Sequence, residues 1–299
     1  MSESTAPAPI RIAQHGYALE VMAHLGGALA GLQFQGQEVL RRADPEIDEP
    51  LASAGFALMP FANRIAQGRF RIRARTVQLS PNAPGQRHPL HGQAWRKPWT
   101  VESHESGRLA LGYEHPAGEW PWAYRAGQVF TLTQSGIEVA LELENRAAEP
   151  MPAGIGWHPY LRRTPAARLR AAVKGVWLAD AQCLPTTLAS PQSVWDFRDG
   201  APAPPTLVDH CYTEWNGQAE LVLPEEQLCV RIEAEQPLRW LHVYSPPGEA
   251  FLCLEPVSHM PDALNRSEPP AVSGLRWLAP GETLRACVTL RVSHEPCGG

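Results

Sequence analysis

The chain lacks most of the features that would assign it at sight. Its six cysteines, at 183, 211, 229, 253, 287 and 297, form no C-x-x-C pair. With no export signal in view, that scatter predicts reduced thiols, not a disulfide framework. Residues 1–9 are small and polar, with neither a basic nor an apolar region, so no signal peptide is expected and the cytoplasm is the default. In that compartment the Asn265-Arg266-Ser267 sequon carries no weight. The longest apolar runs, such as 54–59, are far too short to span a bilayer, so no membrane partner is expected. A net charge of -5 offers no basic field for nucleic acid. No G-x-S-x-G elbow, Walker A loop or complete G-x-G-x-x-G is present, and Gly154-x-Gly156 alone signifies nothing. Serine hydrolysis and phosphotransfer thereby lose their usual support.

What is present is period two. Tyr17, Leu19 and Val21 alternate with smaller or polar neighbours, and Gly26-Gly27 and Gly36 break the pattern where strands would turn, so residues 10–40 read as a β-meander. The acidic, proline-bounded stretch 44–50 reads as a surface loop. Ile137, Val139, Leu141 and Leu143 alternate with Glu138, Ala140, Glu142 and Glu144 after a turn at Ser135-Gly136, as in an antiparallel strand wet on one face. Further strands are expected at 221–223, 229–232, 240–244, 251–254 and 284–292, with loops and short strands between 164 and 207. No long 3.6-residue period and no 20–50-residue repeat appears. The 24 glycines and 30 prolines are scattered as turn punctuation. At 299 residues a core can form without staples. The expected fold is an all-β sandwich, one domain over 1–299 with 1–9 flexible and one or two helical turns.

The densest chemistry lies in Gly156-Trp157-His158-Pro159-Tyr160-Leu161, where Pro159 biases His158 towards extended backbone. His91, before Gly92, and Glu255, after the apolar run 251–254, are the other candidates, since an unpaired carboxylate beside a buried strand is costly. Each has a plain alternative: a turn histidine, an ion pair of Glu255 with Arg64, an Asx turn at Asp209. Two histidines and a glutamate could also form a metal-binding facial triad, although none of the close spacings that build one is present. Acid–base chemistry is the preferred reading, because reference pKa values of about 4.3 and about 6.5 leave a carboxylate ionised and an imidazole part-protonated near neutrality. Arg69, Arg71, Arg73 and Arg75, alternating on one predicted strand, would share a face. A solvated face is the preferred reading of that stripe and a phosphate contact the lesser one.

Taken in order, 62–65 (Ala-Asn-Arg-Ile), His91-Gly92 with Trp99, Glu144-Asn145, 156–160, Asp209 within 208–212, 253–256 (Cys-Leu-Glu-Pro) and 262–265 (Asp-Ala-Leu-Asn) resemble the aldose 1-epimerases (galactose mutarotases) over nearly the whole chain. The resemblance implies a large twisted antiparallel β-sandwich, the galactose mutarotase-like supersandwich, with a sugar in an open groove and no cofactor or metal. It implies that His158 is a general acid towards the ring oxygen, Glu255 a general base towards the anomeric hydroxyl, and His91 a holder of the ring oxygen. It gives Arg64, Asn63 and Asp209 the sugar hydroxyls, with Trp157 and Tyr160 offering flat faces to its C–H surface. Leu161 stands where an aromatic is expected. The Arg162-Arg163 pair, with the 69–75 stripe, keeps a hexose-6-phosphate mutarotase open. A non-catalytic sugar-binding relative is the reading from another class, and monomer and homodimer are both open.

Overall fold

The computed structural model describes residues 7–44, 46–193 and 195–294. Alternation writes two large antiparallel sheets. The first has eleven strands, in the order Ile10–Gln14, Tyr17–Met22, Ala28–Phe34, Gly55–Leu58, Gly156–Arg162, Phe251–Val257, Trp240–Ser245, Val208–Thr213, Gly175–Ala179 and Pro185–Ala189, with Gln37–Glu38 added beside Ala28–Phe34. The second has nine, in the order Ala201–Pro202, Arg168–Ala171, Gln218–Leu223, Leu228–Ala234, Thr283–Ser293, Gly136–Asn145, Tyr124–Thr133, Arg108–His115 and Thr100–Glu105.

The sheets face each other across one apolar core. Leu19, Leu161, Val243 and Leu254 enter it from the first sheet, and Val139, Leu141, Val288 and Leu290 from the second. Because successive side chains point to opposite faces, each residue buried in that core obliges its neighbour to face outward. On the second sheet the outward neighbours are charged, as at Glu138, Glu142 and Glu144. On the first sheet they are not: Phe56, Tyr160, Trp177, Cys211, Trp240 and Cys253 form a second buried cluster on the outer face. Loops lie over that face, and the candidate site residues stand in it. Tyr17 joins the two sheets. Its hydroxyl accepts a hydrogen bond from the Val292 amide at 3.1 Å and donates one to the Val292 carbonyl at 3.4 Å.

The structure departs from the sequence reading in three places. The arginine stripe is not one strand but a hairpin, Arg69–Ile72 pairing Arg75–Gln78. Arg73 stands at the turn with φ +52°, and all four arginines are exposed. Glu255 lies inside its strand, which continues to Val257. Cysteines 183, 211, 253 and 287 are free, but Cys229 is disulfide-bonded; it sits opposite Ser293, where the last strand ends.

Leu254 is fully buried between Cys253 and Glu255 and packs into the inter-sheet core. Leu254→Ala is expected to lower stability by about 2–5 kcal/mol through the cavity it leaves, read as a lower midpoint in urea with an unchanged slope.

Candidate active site

Three adjacent strands of the first sheet, Gly156–Arg162, Phe251–Val257 and Trp240–Ser245, carry a histidine, a glutamate and a second histidine to one level of the outer face. Pairing places Phe56 opposite His158, His242 opposite Glu255, and Cys211 opposite His242. His158 and Glu255 face each other between the pairs Gly156–Val257 and Tyr160–Cys253. The next level holds Tyr160, Cys253, Tyr244 and Asp209. From these rows His158, Glu255, His242, Tyr160, Tyr244 and Asp209 floor a cavity of about 380 Å³, walled by Arg41, Asn63, Arg64, His91, Cys183 and Leu207. That volume lies at the small-molecule end of the range for ligand sites.

Within it, His158 Nε2 is 3.3 Å from Glu255 Oε1, and among the described residues no donor reaches Glu255 Oε2. Burial dominates both groups and moves them in opposite directions. The Glu255 carboxyl is pushed up to about 7. His158 is pushed down to about 3, with the charges of His242 and Arg41 adding to the effect. The sequence expectation of an ionised glutamate beside a part-protonated histidine is thus reversed in the sugar-free site. Between those two values the pair holds one proton, and that proton rests on Glu255.

Asp209 is the anionic centre. His242 Nε2 lies 2.6 Å from its Oδ1, and Arg64 Nη1 lies 3.5 Å from its Oδ2. Burial alone would raise the Asp209 carboxyl, but the hydrogen bond and charge of His242, the charge of Arg64 and a hydrogen bond from Cys183 outweigh it and hold the group well below the carboxylate range. Burial likewise opposes a charge on His242. The charges of Glu255, when ionised, and of Asp209 overcome it, and the pKa of His242 rises above its ordinary value. That direction favours an imidazolium on His242 beside the Asp209 carboxylate.

The loop bearing Asn63 and Arg64 is held by its own amides. Ala62 N–H donates to His259 Nε2 at 3.0 Å, Asn63 N–H to His91 Nδ1 at 3.0 Å, Ala66 N–H to Asp262 Oδ1 at 2.9 Å and Gln67 N–H to His88 Nδ1 at 2.9 Å. An imidazole nitrogen that accepts carries no proton. Burial keeps His91 and His259 neutral by lowering both pKa values. His91 is therefore the tautomer with its proton on Nε2. Asn63 and His91 both adopt positive φ, +58° and +57°. Glycine is required at 92, where φ is +73° and an added Cβ would stand 2.1 Å from the Met59 carbonyl oxygen.

A metal ion would find a different donor set from the facial triad weighed above. His158, Cys253 and Glu255 each present a ligand atom within 4.8 Å of the others, without His91. Burial pushes the Cys253 thiol well above its ordinary value, which opposes the thiolate that such a metal would take.

The aldose 1-epimerase family profile matches residues 10–291. The chain belongs to the aldose 1-epimerase family. It is 39% identical to the uncharacterised protein YphB of Escherichia coli (strain K12) over 246 residues, which is 79% of this chain and 83% of that one. A solved structure of a candidate aldose 1-epimerase from Escherichia coli K12 superposes with a TM-score of 0.87 at 34% identity, covering 95% of this chain and 98% of that one. A galactose mutarotase-like protein from Clostridium acetobutylicum superposes with a TM-score of 0.85 over 95% of each chain; at 18% identity it shows the shared fold. The galactose mutarotase-like supersandwich is the fold of this chain. Among the described residues no helix is long and apolar enough to cross a membrane.

Set against the family resemblance, His91, His158, Glu255, Arg64, Asn63, Asp209 and Tyr160 all border the one cavity. Trp157 does not. It alternates with His158 and is buried in the inter-sheet core, so it offers no face to a ligand. Arg64 pairs with Asp209 and not with Glu255. His242, Arg41 and His259 escape the sequence reading. His242 stands in an ordinary alternating strand, and only the pairing of that strand with 251–257 gives it a role.

His259→Gln is expected to destabilise the protein by about 1–3 kcal/mol at neutral pH, because the Ala62 amide loses its imidazole acceptor. The deficit should shrink as pH falls below 6.5. There the unfolded wild-type imidazole takes up a proton that the buried one resists, so the wild type loses stability that the variant never had. Urea melts of both proteins at about pH 5 and about pH 7.5 check the sign.

Proposed function

We propose that the protein interconverts the α and β anomers of a free aldose by acid–base opening and closing of the sugar ring, an isomerase reaction. The observation that carries this reading is the His158–Glu255 pair, 3.3 Å apart on the floor of a cavity that also holds the Arg64–Asp209–His242 cluster. Opening a cyclic hemiacetal removes the proton from the anomeric hydroxyl and delivers one to the ring oxygen as the bond from C1 to that oxygen breaks and the aldehyde forms. A carboxylate and an imidazolium on two sides of the ring suffice, and each can contribute about 10²–10⁴-fold.

Glu255 takes the anomeric proton and His158 protonates the ring oxygen. His91, with its proton on Nε2, donates a hydrogen bond to the same oxygen. Rotation about C1–C2 presents the other face of the aldehyde, and closure with the roles exchanged restores the pair. The reaction conserves protons, so the competent enzyme has one proton over His158 and Glu255 together. Arg64, Asp209, Asn63 and His242 grip the remaining hydroxyls. Tyr160 faces the sugar's edge, and the proton steps themselves call for no metal.

The basic residues that would support a phosphorylated substrate are engaged elsewhere. Arg162 pairs with Glu226, Arg163 donates to Ser245 and to the Pro246 carbonyl, and the 69–75 arginines lie on their own exposed hairpin. None of them borders the cavity. A free aldose is the better fit.

Polarimetry of freshly dissolved α-D-glucose and α-D-galactose, with and without protein and EDTA, tests the proposal. Acceleration that survives EDTA is expected. None with any aldose would leave a sugar-binding relative, and loss to EDTA would point to a metal on His158, Cys253 and Glu255. Glu255→Gln is expected to lower kcat by at least about 10²-fold with little change in KM. Arg64→Ala should chiefly raise KM, by about tenfold or more, the scale of one lost charged hydrogen bond. In wild type kcat/KM should fall as pH rises through about 7, where Glu255 releases the pair's last proton; a rate that climbs across that pH would overturn the shared-proton scheme.

A further inference from the structure

A second cavity opens on the same outer face of the first sheet. Its volume is about 1020 Å³, more than twice the about 380 Å³ of the active-site cavity, and the two share no lining residue. Its floor is the row next to the one that carries His242 and Glu255: Trp240 lies opposite Val257, and Gly175 opposite Thr213. Its walls are the turns at 214–216 and 236–239 and the segment 270–276, which includes the short helix Pro270–Ser273.

Three features set it apart from a surface hollow. Thr213 is only 7% exposed, and its hydroxyl has no hydrogen-bond partner among the described residues. Gly175 keeps that hydroxyl uncovered. Its backbone is ordinary extended strand, which any residue could adopt, but a Cβ there would stand 2.8 Å from Thr213 Oγ1 and 3.1 Å from Leu188 Cδ1. Charge is the third feature. Lys174 on the rim is answered by Glu214 at 3.1 Å, whereas Arg239 and Arg276 meet no acidic group among the described residues. A chain of net charge -5 thus keeps two unanswered cations on one cavity.

The lining selects a class of ligand. A guanidinium binds a carboxylate through two parallel hydrogen bonds. Asn216 has its Oδ1 committed to the Gln218 amide at 3.0 Å, which leaves its Nδ2 hydrogens, the Gln236 amide and the Thr213 hydroxyl for hydroxyl partners. Trp240, Leu188 and Val272 add apolar surface for C–H faces. The carboxylate of Glu214 is held by Lys174, and among the described residues no histidine or cysteine borders the cavity. Such a lining binds and does not react.

We propose that this cavity binds an acidic oligosaccharide of two or three rings, at a site separate from the active site. Its volume exceeds the needs of one ring, its free amides and hydroxyl match sugar hydroxyls, and its two unanswered arginines match two carboxylates. The inference goes beyond the mutarotase reading and does not depend on it.

The experiment is isothermal titration calorimetry of the full-length protein with trigalacturonate, against maltotriose as the uncharged trimer and galacturonate as the single ring. Trigalacturonate is expected to bind at least about tenfold tighter than either, the scale of one charged hydrogen bond. The double variant Arg239→Gln/Arg276→Gln, changed at two exposed positions, should weaken that binding by about tenfold or more. Thr213→Val, which keeps the shape and removes the hydroxyl, should weaken it by about two- to tenfold. Arg64→Ala, in the active site, should leave it within about twofold, as expected for a distant, independent site. Maltotriose binding as tightly as trigalacturonate, an unchanged affinity in the double variant, or no heat with trigalacturonate at millimolar concentration would each overturn the proposal. Loss of binding in Arg64→Ala would do the same by placing the ligand in the active site. If no aldose is turned over, the calorimetry still decides the role of the second cavity, so the two proposals fail separately.

Discussion

The pleat of three neighbouring strands is the constraint on which the rest depends. Leu161, Leu254 and Val243 must fill the core between the sheets, and their burial leaves His158, Glu255 and His242 no direction but outward. A one-residue slip of any of these strands would drive an ionisable group into the core and expose a leucine or valine. The energetics of the core thus fix the register of the site, and the site needs no separate device to align its rows. What the outer face adds is cover. Phe56, Trp95, Tyr160 and Phe251 exclude water from groups that would otherwise titrate at ordinary values.

That exclusion separates two kinds of ionisable residue. Asp209 is half-buried between two basic partners, and its charge is held: it orients Arg64 and His242 and has no proton to trade. Glu255 and His158 are buried 3.3 Å apart, and among the described residues Glu255 Oε2 and His158 Nδ1 have no hydrogen-bond partner. Burial without compensation is costly. Here the cost falls on the two groups that the proposed reaction would have exchange a proton, which is where a proton-transfer site can use it.

Much of this was legible in the sequence. The alternation of 136–145 and the glycine-punctuated meander announced an all-β chain, and His91, His158, Asp209 and Glu255 could be named from their short motifs. The misreadings share a cause. Trp157 was drawn into the site because it adjoins His158 along the chain, whereas adjacency in a strand means opposite faces. The arginines at 69–75 looked like one face because the turn at Arg73 carries no glycine or proline to mark it. His242 and Arg41 were invisible for the converse reason. Nothing in the local sequence distinguishes a histidine in an alternating strand or an arginine before a loop. Their partners lie 13 and more than 100 residues away, and only sheet order brings them together.

Sheet order also separates the parts of the site widely along the chain. The loop at 63, the strand at 158 and the strand at 255 meet only when Gly55–Leu58 has paired with Gly156–Arg162 and that strand with Phe251–Val257. The Tyr17 hydroxyl, bridging to the backbone of Val292, ties the second strand to the last. Almost the whole chain must leave the ribosome before that tie can close, and pairings of such long sequence separation form slowly. A nascent chain holding His158 but not yet Glu255 has half of the proposed acid–base pair, so any chemistry of this site begins late in its synthesis and all at once.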